Sequence, residues 1–226
     1  MKYLPLLLLC VACDVPPSEA DAGDAGTTVT NTFCFGRPKL EFCEDFDGAP
    51  LPGAFATAHN LGGQARLDDS AFTTMPRSVV MQTTEENAVV TLSAPGTDAR
   101  QTFKTFVQLR VDEKPTTGAA EVLSIGNGAH HYSLWLDANE ALSVVADGQA
   151  LGETTLSSGN WNSVRLDVLH DGGTRYINFT VGSTPVVSRE PIPDAGALPS
   201  ATFTLGLADA GAGWQARFDT VTFIYE

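Results

Sequence analysis

The stretch "HHYSLWLDANEALSVVADG" (His130–Gly148) alternates between apolar and other side chains over most of its length. In its first half the apolar positions are Tyr132, Leu134 and Leu136, and the positions between and beside them are His131, Ser133, Trp135 and Asp137. Successive side chains of a β-strand point to opposite faces, so this pattern predicts a half-buried strand. A second alternating run follows the turn-forming residues 137–139 and ends at Asp147-Gly148, which predicts an antiparallel pair of strands.

The same period of two recurs through the rest of the chain. β-branched and aromatic residues dominate these runs, and turn dipeptides such as Gly182-Ser183 separate them. Ten further strands are predicted, over residues 40–46, 78–82, 87–93, 102–113, 120–127, 162–170, 174–181, 184–188, 201–208 and 214–225. No window shows a convincing helical stripe. About a dozen short strands of uneven spacing predict an all-β, two-sheet antiparallel sandwich rather than a barrel.

The first residues are typical of a bacterial export signal. Lys2 precedes the apolar run Tyr3–Leu9, and this run is shorter than the roughly 20 residues of a membrane-spanning helix. The segment Cys10-Val11-Ala12-Cys13 resembles a bacterial lipobox, which implies lipidation of Cys13. We therefore expect a lipoprotein signal peptide over residues 1–12 and a lipid anchor in the cell envelope, at the outer membrane or cell surface rather than the inner membrane. A soluble secreted protein is the alternative.

Composition divides the remainder into a tether and one domain. Residues 13–32 are rich in Asp, Ala, Gly, Pro and Thr and almost lack large apolar groups, so we expect a flexible tether. Residues 33–226 have the length of a single domain. The net charge of -14 makes nucleic acid and anionic lipid headgroups poor partners, because their phosphates would repel the protein. The lipid is then the only expected contact with the membrane.

Two cysteines remain in the predicted domain. In an oxidising compartment Cys34 and Cys43 are the natural disulfide pair, since cleavage removes Cys10 and acylation occupies Cys13. The bridge would close a short loop and join the end of the tether to the first strand. For a loop of this length we expect a contribution of about 2–3 kcal/mol.

Several of these segments together resemble one family. They are "EFCEDFDGAPLPG" (Glu41–Gly53), the quoted strand pair, "WNSVRLDV" (Trp161–Val168) and "WQARFDTVTF" (Trp214–Phe223). Over essentially the whole region after the tether, the chain is similar to concanavalin A-like lectin/glucanase domains, in particular the laminin-G-like jelly rolls of secreted bacterial lipoproteins. The resemblance implies a jelly-roll sandwich and carbohydrate or glycoconjugate binding. These motifs are signatures of a fold and carry little information about function.

Motifs for catalysis are missing from the sequence. The glucanase members of the resembling family carry Glu-x-Asp-x-x-Glu, and this chain does not contain it. Glycoside hydrolysis needs two facing carboxyl groups, whereas Asp137, Glu140 and Asp167 are scattered over separate segments. Gly-x-Ser-x-Gly is also absent. We therefore expect a protein that is not an enzyme, and a hydrolase without the usual motif is the least favoured alternative.

Calcium is the one cofactor that the resemblance implies. In many concanavalin A-like domains an ion bridges the first and last strands, and the matching acids here are Asp45, Asp47 and Asp219. Calcium takes oxygen ligands of this kind. The alternative is that these are ordinary strand acids. The pair His130-His131 does not predict a metal site, because adjacent side chains on a strand point to opposite faces.

Sugar binding needs an aromatic ring to stack on a pyranose and polar groups to hold its hydroxyls. Trp135 is the best candidate because it alternates away from Leu134 and Leu136, and His131 and Ser133 share its face. Arg165 and Asp167 lie on a strand that we expect to neighbour it. The alternative for Trp135 is packing against a loop or against Tyr176. The function predicted is non-catalytic glycan binding, and the alternative is a protein-interaction or adhesion module without a sugar site.

Overall fold

The computed structural model describes residues 33–34, 42–94, 102–192 and 201–225. The predicted signal peptide (1–12), Cys13 and the predicted tether (13–32) lie outside these described residues. Within the described ranges, no helix is long and apolar enough to cross a membrane.

The described part of the chain consists of strands joined by turns and loops, without a helix. The strands are β1 (Phe42–Glu44), β2 (Thr57–Leu61), β3 (Gly63–Asp68), β4 (Ser78–Thr83), β5 (Ala88–Ser93), β6 (Phe103–Glu113), β7 (Ala119–Gly126), β8 (His131–Asp137), β9 (Ala141–Ala146), β10 (Gln149–Thr155), β11 (Asn162–Asp171), β12 (Thr174–Val181), β13 (Thr184–Ile192), β14 (Thr202–Ala210) and β15 (Gln215–Tyr225).

Two antiparallel sheets pack face to face. Sheet A has the order β13-β12-β11-β6-β15-β4-β3, and β1 pairs with β15. Sheet B has the order β10-β9-β8-β7-β14-β5-β2. Strands that are distant in sequence are neighbours in both sheets, for example β6 and β15 at the centre of sheet A. The architecture is an all-β jelly-roll sandwich, which confirms the predicted fold class.

The core lies between the inner faces of the two sheets. Tyr132, Leu134 and Leu136 of β8 are fully buried there, as their alternation predicted, and they belong to the same core as buried residues of sheet A such as Leu166 and Phe179. Burial of apolar area at roughly 25 cal/mol per Å² stabilises this arrangement. The outer faces of both sheets are left to the residues between the core positions.

Three strands were not predicted from the sequence: β2, β3 and β10. All three lie at sheet edges, where one side of the strand has no partner strand. The side chains of β2 are all exposed, so its sequence lacks the alternation by which buried strands are identified. The predicted disulfide is confirmed: Cys34 and Cys43 are bonded, with Cα atoms 5.6 Å apart.

Candidate functional site

Trp135 lies on the outer face of sheet B, together with His131 and Ser133. Its indole is partly buried and its Nε1–H donates a hydrogen bond to Ser133 Oγ at 3.0 Å. Ser133 has no exposed surface although it points away from the core. Packing of Trp135 on Tyr176, one of the alternatives considered for this residue, does not occur, because Tyr176 belongs to β12 in sheet A. The indole is therefore held in one orientation by a contact within its own strand.

Hydroxyl side chains form a row across five strands of this face. Each member is directly opposite the next in the strand register: Ser133 on β8, Ser124 on β7, Thr204 on β14, Ser93 on β5 and Thr57 on β2. The Oγ of Ser93 and the Oγ1 of Thr204 are 3.3 Å apart. Strands are spaced about 4.8 Å apart, so the row extends over about 19 Å. Ser133 and Ser124 are buried, whereas Thr204, Ser93 and Thr57 are at least partly exposed. Hydroxyl groups can both donate and accept hydrogen bonds.

A β-bulge in β7 brings Glu121 to the same face. The register between β7 and β8 shifts between Glu121 and Leu123, so Glu121 is opposite Trp135 while Ser124 is opposite Ser133. Without the bulge, residues three apart would point to opposite faces. Sequence reasoning missed Glu121 for this reason. The signal that could have found it is the one charged residue in a strand that is otherwise apolar apart from Ser124.

His131 and Glu121 form a close pair beside an open pocket. His131 Nε2 lies 2.6 Å from Glu121 Oε2, and the side chain of Glu121 is 10% exposed. This hydrogen bond raises the pKa of His131 above its ordinary value, although partial burial opposes the rise. The pocket has a volume of about 390 Å³. Its lining residues are Ser124, Gly126, Asn127, Gly128, His131, Thr202 and Thr204.

Glycine is required at one position of this pocket. A Cβ on Gly126 would lie 2.8 Å from the carbonyl oxygen of His130 and 3.1 Å from Nδ1 of His131. These distances are shorter than ordinary contacts, so a larger residue would displace the imidazole. Gly126 therefore keeps His131 in place between the pocket and Glu121.

The two adjacent histidines have separate partners, as expected for neighbours on a strand. His130 Nδ1 lies 2.9 Å from Asp147 Oδ2, and its ring is parallel to that of Tyr132. The other oxygen of Asp147 accepts a hydrogen bond from the backbone N–H of His131. Asp147 lies in the turn after β9, and through these two contacts it holds the start of β8 in place.

Arg165 and Asp167 are not part of this face, and the expectation that their strand neighbours Trp135 is wrong. They lie on β11, which pairs with β6 and β12 in sheet A, so they point outward on the opposite side of the sandwich. There they line a smaller pocket of about 190 Å³ with Phe106 and Thr222. Burial raises the pKa of Asp167 to about 6, although Arg165 and Lys104 oppose the rise.

The three acids nominated for calcium are bound mainly by protein donors. Asp219 is fully buried and accepts hydrogen bonds from the backbone N–H and hydroxyl groups of Thr73 and Thr74 and from the N–H of Thr220. Asp45 accepts hydrogen bonds from the backbone N–H groups of Cys34 and Asp47.

One oxygen in this group has no partner. Asp47 Oδ2 is buried without a hydrogen bond, and burial raises the pKa of Asp47 to about 6. The described residues hold no group of three or more His, Cys, Asp or Glu side chains arranged for a metal ion. In this arrangement the carboxylate of Asp219 is not available to coordinate calcium, because both of its oxygens accept hydrogen bonds from the protein. Calcium binding stays a prediction.

Comparison with known proteins supports the fold and does not identify a family. No family model matches the chain, and no curated protein matches it.

Three solved structures share the architecture at low identity. The receptor-binding domain of botulinum neurotoxin type G has a TM-score of 0.50 and 7% identity, over 74% of this chain and 42% of that one. The alginate lyase AlyC3 has a TM-score of 0.51 and 9% identity, over 73% of this chain and 90% of that one. The carbohydrate-recognition domain of Emp46p, in its potassium-bound form, has a TM-score of 0.50 and 11% identity, over 71% and 88%. At these identities the similarity concerns the sandwich fold alone.

Proposed function

We propose that this protein is a non-catalytic glycan-binding module whose site is the outer face of sheet B around Trp135. The observation that carries the proposal is the placement of a partly exposed indole beside the row of hydroxyl groups and the His131 pocket. An aromatic ring stacks on the apolar face of a pyranose, and fixed polar groups then orient its hydroxyls. The face supplies both elements on adjacent strands.

The protein-interaction alternative has less support. A protein-binding surface usually contains a contiguous apolar patch. In the described part of the chain, the exposed large hydrophobic residues are Leu61 and Met75. Leu61 ends the edge strand β2 and Met75 lies in the loop between β3 and β4, whereas the face around Trp135 is mostly polar.

The pairing of Glu121 with His131 supports binding rather than hydrolysis on this face. A glycosidase needs an acid and a second carboxyl group on either side of the bond that is cleaved. Glu121 is engaged by His131 at 2.6 Å. We therefore assign Glu121 to holding the imidazole that borders the pocket.

Export and lipidation are the second part of the proposal. We propose that Cys13 carries the lipid and that the protein is held in the bacterial cell envelope, at the outer membrane or the cell surface. The disulfide Cys34–Cys43 supports a compartment outside the cytoplasm. Incorporation of labelled palmitate by the full chain, and its loss in Cys13→Ser, is the expected result. Equal labelling of the two proteins would contradict lipidation at this residue.

A glycan array tests the binding function. The full chain is compared with Trp135→Ala and with Tyr176→Ala, which removes a partly buried aromatic residue from the outer face of sheet A. We expect selective binding that weakens about tenfold or more in Trp135→Ala, equivalent to about 1.4 kcal/mol, and is unchanged in Tyr176→Ala. If Trp135→Ala bound glycans as tightly as Tyr176→Ala and the wild type do, the binding site would lie elsewhere on the protein. A blank array from folded protein would favour the protein-partner alternative.

A further inference from the structure

Positive charge is distributed unequally between the two sheets. Every lysine or arginine that lies in a described strand belongs to sheet A, in β3, β6, β11, β12, β13 or β15. The strands of sheet B contain none. The site proposed above is therefore built on a sheet without any side chain that stays cationic at all physiological pH values.

The charged groups around His131 are mainly acidic. Glu121 on β7, Asp147 in the turn after β9 and Asp209 on β14 all act on this imidazole, and strand β9 adds no titratable group. Among the residues that the structure describes, the nearby basic groups are the imidazoles of His130 and His131 themselves. Each is paired with a carboxylate, and Asp209 adds a third acid. Even with both imidazoles protonated, the carboxylates exceed them by one.

From this asymmetry we infer that the face around Trp135 selects glycans without carboxylate or sulfate groups and binds amino sugars more tightly than their N-acetylated equivalents. The inference rests on the proposed function and names its ligand class. Arginine and lysine form the strongest hydrogen bonds to a uronate or sulfate, and on this face an anion would instead meet an excess of carboxylates over imidazoles. A neutral pyranose keeps its stacking and hydroxyl contacts. The ammonium group of an amino sugar gains attraction from Glu121 and Asp209.

The test compares three classes of glycan on the full chain at low and at physiological salt. They are neutral oligosaccharides, glucosamine oligomers with their N-acetylated counterparts, and uronate or sulfated oligomers. We expect the protein to bind neutral and amino glycans and not acidic ones. Its affinity for the glucosamine oligomers should exceed that for their N-acetylated counterparts by about two- to fivefold, and this difference should decrease with added salt. In Asp209→Asn, which removes an exposed acid that does not line the pocket, this preference for amino sugars should decrease, while binding of neutral glycans is retained.

A charge added to the site gives a matched variant. Thr202 is exposed and lines the His131 pocket, so Thr202→Lys supplies the missing cation without disturbing the core. This variant should gain binding to acidic glycans that the wild type does not bind. Its thermal melting curve, matched to the wild type, establishes that it is folded.

The outcomes separate the inference from the proposed function. Tight, salt-sensitive binding of acidic glycans by the wild type would overturn the inference and leave glycan binding intact. Equal affinity for the amino and N-acetylated oligomers would overturn its amino-sugar part. Binding to no glycan in any class would overturn the proposed function itself.

Discussion

Glu121 Oε2 and His131 Nε2 are 2.6 Å apart on the outer face of sheet B, joined across the register shift between β7 and β8. The bulge in β7 creates this pair, and Gly126 leaves the room that the imidazole occupies. The imidazole also lies near Asp147, which is bonded to the backbone of the same residue. The site is thus defined by local backbone irregularities in a regular sheet.

The His131–Glu121 pair should be visible in titrations. The pKa of His131 is raised in the folded protein, so the pair stabilises the fold fully below the unfolded pKa of about 6.5 and less as the pH rises through the folded value. In Glu121→Gln the pKa of His131 should decrease, as measured by NMR of its imidazole protons. Glu153→Gln on β10 removes an equal charge from the same sheet without this contact. An unchanged pKa in Glu121→Gln would show that the hydrogen bond is not its cause.

A buried hydrogen bond links the two sheets beneath the site. Arg175 of β12 is 1% exposed, and its Nη1–H donates to the hydroxyl of Tyr132 at 3.0 Å. Tyr132→Phe leaves the guanidinium without this acceptor and should lower the free energy of unfolding by about 1–3 kcal/mol, measured by urea unfolding. Tyr176→Phe on the outer face of sheet A is the control, with an expected change within about 0.5 kcal/mol.

A second variant distinguishes the lost bond from lost packing. Adding Arg175→Met to Tyr132→Phe removes the buried charge as well, and replacing both partners by apolar groups should recover most of the stability. If the double variant were less stable than Tyr132→Phe alone, loss of the hydrogen bond would not be the main cause of the destabilisation in Tyr132→Phe.

Central strands could be predicted from the sequence because burial of one face imposes alternation on them. The strand β11 alternates Val164, Leu166 and Val168 inward with polar residues outward, and both features are present in the structure. The edge strands β2, β3 and β10 escaped prediction because an edge position buries little side-chain surface and leaves the pattern weak.

Which residues share the outer face of sheet B was predicted only in part, for two physical reasons. Alternation within β8 placed Trp135, Ser133 and His131 correctly on one face, because this information is local. Whether β11 adjoins β8 depends on topology, which alternation does not encode, so Arg165 and Asp167 were assigned to the wrong sheet. The bulge that adds Glu121 also has no signature in periodicity.

The role of Asp219 can be separated from metal binding. Its carboxylate accepts hydrogen bonds from Thr73, Thr74 and Thr220, so Asp219→Asn would place an NH₂ group against these donors. We expect the free energy of unfolding to decrease by at least about 2 kcal/mol, by the same amount in calcium and in chelator. Thermal unfolding under both conditions measures this. A loss of stability confined to calcium-containing buffer would instead support the calcium site with Asp45 and Asp47.

Asp167 offers a test of a buried charge on sheet A. One of its oxygens, Oδ1, is buried without a hydrogen bond, and burial raises its pKa from 3.8 to about 6. A carboxyl group whose folded pKa is raised favours folding in its protonated form, so stability decreases as the pH rises from about 4 through about 6. The variant Asp167→Asn does not ionise, and it should therefore lose less stability than the wild type over this interval.

Urea unfolding near pH 4 and near pH 7.5 measures the difference, with Asp171→Asn at the exposed end of the same strand as the control. The expected result is that Asp167→Asn gains stability relative to the wild type only at the higher pH. A variant that is less stable than the wild type near pH 7.5 would mean that attraction to Arg165 and Lys104 outweighs the cost of burial, since removing the charge would then remove a net stabilising interaction.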